Sequence, residues 1–228
     1  MRSADLLLDA QKLCLSRRDR QLFVDLSFEI DKGQLWHLRG DNGSGKSSLL
    51  DLLVGLNSAD EGVVRWFADN KEANEAHPLK PLEATARGLF HYCRQQNAVN
   101  PRLTIRENLQ RQALWAKVKL AESAIEAWAD EVALLALLDE PAGLLSQGQQ
   151  KQIALARLRL FGWRSLWLLD EPFNSLDRVA VERLEQWIGE QVAAQGAVIM
   201  VSHTEQCQGL AVRSLHLSGA ISLGFGSE

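Results

Sequence analysis

The segment Gly40-Asp41-Asn42-Gly43-Ser44-Gly45-Lys46-Ser47 sets glycines, a lysine and a hydroxyl at the spacing of a phosphate-binding loop. Glycines let successive backbone N–H groups turn toward phosphate oxygens, and the helix expected to follow adds the positive end of its dipole. In such a loop Lys46 bridges the β- and γ-phosphates, and the Ser47 hydroxyl binds Mg²⁺. Ser48 follows directly.

A second group lies downstream in "SLWLLDEPFNSLD", an apolar run that ends in Asp170-Glu171. A carboxylate at the C-terminal end of a parallel strand faces the crevice where open α/β sheets bind ligands. Asp170 there would hold Mg²⁺, and Glu171, one residue further on, would orient and deprotonate a water. His203 ends another apolar run, "AVIMVS", and is placed to touch the γ-phosphate.

A third stretch, Leu145-Ser146-Gln147-Gly148-Gln149, offers no acid, base or strong nucleophile. Ser146 suits a helix N-cap. Gly148, one position inside the first turn, costs helix stability there and needs another explanation.

These groups need a scaffold. "LLLDAQKLCL", "LFVDLSFEI" and "QLWHLRG" read as strands bounded by turn residues, and "GKSSLLDLLVGL" reads as a helix closed by Gly55. The segment 69–86, with Pro78 and Pro81, reads as an exposed loop, and "GLFHYCRQQ" as a short buried strand. From Thr104 onward "TIRENLQRQALWAKVKL" and "AESAIEAWADEVALLALL" lack glycine and proline and carry helical periodicity. "SLWLLD" and "GAVIMVSH" flank the helix "RVAVERLEQWIGEQVAA", the alternation of a parallel α/β sheet. The expected organisation is one α/β unit, with a core lobe over 1–96 and 164–228 and a helical insert over 97–163.

The bulk properties narrow the class. A chain of 228 residues that is 46% hydrophobic can bury a substantial core. Its net charge of −4 argues against non-specific binding to nucleic acid. Cys14, Cys93 and Cys207 are scattered, which suits reduced thiols better than a disulfide frame or a metal site. Asp5 and Asp9 interrupt the first residues as a signal peptide would not allow, and no apolar run approaches the roughly 18 residues of a membrane span.

Taken in order, the P-loop at 40–47, "LSQGQ" at 145–149, "LWLLDEP" at 166–172, "NSLD" at 174–177 and His203 resemble the motifs of ATP-binding cassette (ABC) ATPases. The resemblance covers nearly the whole chain. It implies a P-loop cassette fold: a mainly parallel core sheet, an N-terminal antiparallel β region and a helical subdomain. It also implies ATP and Mg²⁺ as ligands, a head-to-tail pair of cassettes, here a homodimer, and integral-membrane transporter subunits as partners. No nucleic-acid partner is expected. The expected location is peripheral, at the cytoplasmic face of a bacterial inner membrane.

Site residues carry over by position. Glu171 resembles the catalytic base, His203 the switch histidine and Asp177 the D-loop aspartate. Gln96 resembles the Q-loop glutamine near Mg²⁺, with Gln95 as the competing assignment. Ser146, Gly148 and Gln149 resemble the signature that closes on a partner's ATP, with Gln147 where glycine is commonest. Many cassettes place an aromatic ring against adenine near the N-terminus; here Arg17 lies in that region, and a guanidinium plane can stack on a base. The chain looks most like the ATP-binding subunit of the heme exporter of cytochrome c maturation. It carries no CxxCH, so a heme site would belong to partner subunits. Alternatives are an ATPase of another small exporter or importer, or a soluble non-transport cassette.

Overall fold

The computed structural model describes residues 5–17, 20–68, 78–203, 207–218 and 221–222. The chain opens with β1 (Leu6–Arg17), β2 (Arg20–Asp31) and β3 (Leu35–Arg39), then α1 (Lys46–Leu53), β4 (Glu61–Trp66), α2 (Pro81–Ala86) and β5 (Phe90–Cys93). A run of helices follows: α3 (Ile105–Trp115), α4 (Glu122–Glu131), α5 (Gln147–Leu155) and α6 (Arg157–Leu160). The chain then alternates β6 (Leu166–Asp170), α7 (Arg178–Ala193) and β7 (Ala197–Val201), and ends on β8 (Val212–His216) and β9 (Ile221–Ser222).

Two sheets result. β4-β1-β2-β9 is antiparallel throughout, and β5-β6-β7-β3-β8 is parallel throughout. β6 and β7 are buried at every residue, as their unbroken apolar runs require of strands covered on both faces. Alternate residues point opposite ways. Leu166 and Leu168 pack with the antiparallel sheet and α1, whereas Trp167 and Leu169 pack with α7 and the helical run. One strand therefore ties both cores to the position where Asp170 and Glu171 emerge.

The helices are shorter than periodicity alone implies, for identifiable reasons. α3 stops before Lys117 and α4 before Ala133, both in the left-handed backbone region that closes helices. The helix that Ser146 caps is interrupted at Ala156, which separates α5 from α6. Within 69–86, residues 81–86 form α2 rather than loop, and 69–77 lie outside the described residues. Pro81 occupies the first helical turn, where its missing N–H costs nothing. Glu83 accepts from the Lys80 N–H at 2.7 Å to complete the cap.

Candidate active site

The turn from β3 into α1 is the P-loop, and it is wound around its own lysine. Lys46 Nζ donates to the carbonyl oxygens of Gly40 at 2.7 Å and Asp41 at 2.9 Å. Gly40 is there because no side chain fits: a Cβ would lie 2.6 Å from the Leu217 carbonyl oxygen and 2.7 Å from Ser44 Oγ. Gly45 caps α1 in the left-handed region at φ 99°, and Gly43 also has positive φ.

A cavity of about 350 Å³ opens above this loop. Asn42, Gly43, Gly45, Lys46, Ser47 and Ser48 form its floor, and Arg17 and Leu22 come from the antiparallel sheet. Asp170, Glu171, Asn174 and His203 face them from the ends of β6 and β7. Residues more than 100 positions apart thus meet because the parallel sheet sets β3, β7 and β6 side by side. Gly40, Asp41 and Ser44 do not line it; Ser44 is buried and its Oγ has no hydrogen-bond partner.

The two carboxylates differ in surroundings. Asp170 is 4% exposed, and its Oδ1 makes no hydrogen bond. A buried carboxylate oxygen left open is costly in a protein without a ligand and natural in a cation site. The Ser47 hydroxyl, Asp170 and a glutamine amide supply the oxygen donors that suit Mg²⁺.

Glu171 leaves the strand with φ at 48°, a strained value for a glutamate, while its N–H donates to the Val201 carbonyl at 3.0 Å. Burial pushes its pKa up and the neighbouring Asp170 adds to the rise, while His203 and Lys46 oppose it. His203 Nε2 lies 3.2 Å from Glu171 Oε1. The backbone beside it is fixed by buried His37, whose Nε2 sits 2.8 Å from the Ser202 carbonyl.

The two candidate glutamines take different places. Gln95 lines the P-loop cavity; Gln96 lines a neighbouring groove with Val54, Tyr92 and Arg157 instead. β5 ends at Cys93, and the chain bends at Gln95 and Gln96, so that the two side chains line different recesses. Spacing to α3 alone cannot resolve a one-residue step of that kind.

The signature stands apart from this cavity. Ser146 and Gln149 form a reciprocal cap: Gln149 N–H donates to Ser146 Oγ at 3.2 Å, and Ser146 N–H donates to Gln149 Oε1 at 2.9 Å. Gly148 has a role inside its own chain, because a Cβ would run into the Ser175 carbonyl oxygen. Asp177 is an exposed N-cap, with its Oδ1 accepting from Ala180 N–H at 2.8 Å. None of these residues lines the P-loop cavity.

Two residues carry weight the motifs do not show. Lys151 of α5 is 3% exposed; burial lowers its pKa, and Asp170 and Glu171 act against that through space. Asp51, one turn after Ser47 on α1, accepts from Tyr92 Oη and from the Arg94 guanidinium, both at 2.8 Å. It thereby clamps the P-loop helix to the segment that carries Gln95. Each lies beside a recognisable motif, yet only the strand order brings Asp51 to Tyr92.

A P-loop, two strand-end carboxylates and a histidine on a parallel sheet flanked by an antiparallel one define an ATP-binding cassette. Residues 23–174 match the family described as ABC transporter. A solved ATP binding subunit of an ABC transporter superposes with a TM-score of 0.74 at 23% identity, covering 95% of this chain and 90% of that one. Among curated proteins, "Cytochrome c biogenesis ATP-binding export protein CcmA" of Histophilus somni is 37% identical over 198 residues, 87% of each chain. The protein of the same name from Idiomarina loihiensis is 36% identical over 224 residues, 93% of this chain and 88% of its own. The chain belongs to the ABC transporter ATP-binding proteins, within them to the CcmA type, and is an ATP-binding, ATP-hydrolysing subunit.

Proposed function

We propose that this chain energises a membrane complex of cytochrome c biogenesis, with heme export as the process served. The reading is supported by the curated relatives and by one structural observation. In the P-loop cavity a buried, unpartnered Asp170 oxygen stands beside a strained, buried Glu171.

The γ-phosphate of ATP takes the place above Lys46, and the nucleoside end extends toward Arg17. Ser47, Asp170 and Gln95 would hold Mg²⁺, which would supply positive charge to the phosphates. Water attacks the γ-phosphorus, its proton passes to Glu171, and the bond to the β-phosphate oxygen breaks to release ADP. His203, beside Glu171, contacts the γ-phosphate and holds the carboxylate in place. Raised basicity from burial suits Glu171 to this task.

The separation of the signature from the cavity supports a head-to-tail homodimer in which Ser146, Gly148, Gln149 and Asp177 face the partner's ATP. The helices of 97–163 form the subdomain that carries the signature, and 1–96 with 164–228 form the core. Among the described residues no helix is long and apolar enough to cross a membrane. Attachment at the cytoplasmic face of the inner membrane therefore runs through integral-membrane subunits.

Glu171→Gln tests the mechanism: the variant binds ATP, turns over at least about 100-fold more slowly and accumulates as a closed dimer. Undiminished turnover would remove Glu171 as the base. A chromosomal Lys46→Ala strain tests the process, and normal holo-cytochrome c there would exclude it while leaving the ATPase intact.

A further inference from the structure

Lys151 is a buried cation that takes no part in the steps of hydrolysis. It lies on α5, one turn beyond Gly148. Residues three apart share a helix face, and Gly148 fixes where that face points, because it lies against the Ser175 carbonyl in the turn after β6. Further along α5, the Ala154 carbonyl accepts from the Cys93 thiol at the end of β5, at 3.9 Å. The Lys151 side of α5 is thus the side turned toward the ends of β5 and β6.

No acid closes on this lysine. Among the described residues it makes no side-chain hydrogen bond and no ion pair; the groups that act on it do so through space. Burial lowers its pKa, and Cys93, Asp170 and Glu171 act against that. Cys93 is buried, which raises its own pKa and keeps it a neutral thiol, so it offers a cation no charge. Arg157, the other cation beside Cys93, is held by the Tyr92 carbonyl and Gln112. The two carboxylates at the end of β6 therefore remain as the negative charges that favour the ammonium form of a desolvated lysine.

The other cations of the site are already engaged. Lys46 Nζ is bonded to the Gly40 and Asp41 carbonyls, and His203 lies at Glu171. Asp170 Oδ1 has no hydrogen-bond partner. Lys151 does not line the cavity, so its charge reaches Asp170 from outside the space that phosphates and Mg²⁺ would fill. It cannot act as a phosphate ligand there, and its effect on the site runs through the carboxylates.

We propose that Lys151 is a positioning residue of the metal site, a resident cation on the signature helix that balances Asp170 and Glu171 and sets how strongly nucleotide binding depends on Mg²⁺. The inference rests on the reading of Asp170 as a Mg²⁺ ligand and adds a determinant of that ligand's strength. A cation behind Asp170 eases the repulsion between the carboxylates and a metal-free triphosphate. The same cation opposes a divalent ion at Asp170. Removing its charge weakens nucleotide binding without metal and strengthens the contribution of the metal, two effects of opposite sign.

The test uses the full chain and a fluorescent, non-hydrolysable ATP analogue, with binding followed by anisotropy in EDTA and in saturating Mg²⁺. The readout is the ratio of the two affinities, which requires no hydrolysis. Lys151→Met keeps the length of the side chain and removes its charge. It is expected to lose about threefold in affinity in EDTA and to raise the ratio about tenfold, the scale of one partly screened charge. Lys151→Arg keeps the parental ratio. A packing fault would lower both affinities together and leave the ratio of Lys151→Met unchanged; that result would overturn the inference, as would the same change of ratio in the Met and Arg variants. Asp170→Asn separates the inference from the reading beneath it. If its ratio collapses toward one while Lys151→Met keeps the parental value, the inference alone fails. A parental ratio in Asp170→Asn would remove both.

Discussion

Gly148 at the start of α5 lies against the carbonyl of Ser175, in the turn that follows Glu171, so closely that no side chain fits between them. The start of α5 and the turn leading to Asp177 are therefore packed against each other within one chain. Replacing Gly148 by Ala removes a helix-destabilising glycine, worth about 0.5–1 kcal/mol in its favour. Forcing a methyl group into backbone costs about 1–3 kcal/mol, so the overlap wins. Gly148→Ala is expected to lower the urea midpoint and to depress turnover with Lys46 and Glu171 untouched. A midpoint equal to or above that of the parent would show that the contact relaxes freely.

Glu171→Gln should separate chemistry from stability. Turnover falls by about 100-fold or more with the general base removed. The folded-state pKa of Glu171 is raised, so its ionised form is disfavoured by folding, and that penalty is complete above the raised value. The Gln variant is thus the more stable protein at neutral and alkaline pH. The difference shrinks as pH falls and vanishes below the ordinary carboxylate value of 4.5, where both side chains are neutral. Thermal unfolding across that range checks the sign.

Gln95 and Gln96 can be told apart by kinetics. Gln95→Ala removes an oxygen from the P-loop cavity and is expected to reduce turnover by about 10- to 100-fold, with a steeper Mg²⁺ dependence. Gln96→Ala alters the groove beside Tyr92 and should leave hydrolysis by the isolated subunit near the parent rate. The reverse pattern would place Gln96, not Gln95, at the metal.

The clamp at Asp51 should appear as an energetic coupling. Burial raises the pKa of Tyr92, and its hydrogen bond to Asp51 raises it further, so the phenol stays protonated and donating. A double-mutant cycle of Asp51→Asn and Tyr92→Phe is expected to give an interaction of about 1 kcal/mol in unfolding experiments. Additive effects would mean that the two groups act separately.

The loop at Gly40–Ser47 and the pair Asp170-Glu171 were legible from residue order because their backbone is local: one strand, one turn, one helix. The strands were legible for the same reason, since β6 and β7 are short runs apolar at every position. Pro81 read as a breaker where it starts a helix, because its position within the turn is set by Lys80 and Glu83. Spacing to α3 favours Gln96 over Gln95 in sequence, but which recess each lines is set by the bend after β5, which spacing does not report. The role of Gly148 was hidden because its neighbour is Ser175, 27 positions away and on another element. Lys151 and Asp51 were hidden for the same reason: their partners are defined by strand order, and pattern within one helix cannot report it.

The two bonds from Lys46 to its own loop shape the thermodynamics of nucleotide capture. Those bonds hold residues 40–46 in one conformation, so an arriving triphosphate meets a finished cradle. It must instead draw the ammonium away from two carbonyl oxygens, an exchange of one set of electrostatic contacts for another. Capture should therefore register in a calorimeter as an exchange of polar contacts, with little of the heat-capacity change that marks a loop folding around its ligand.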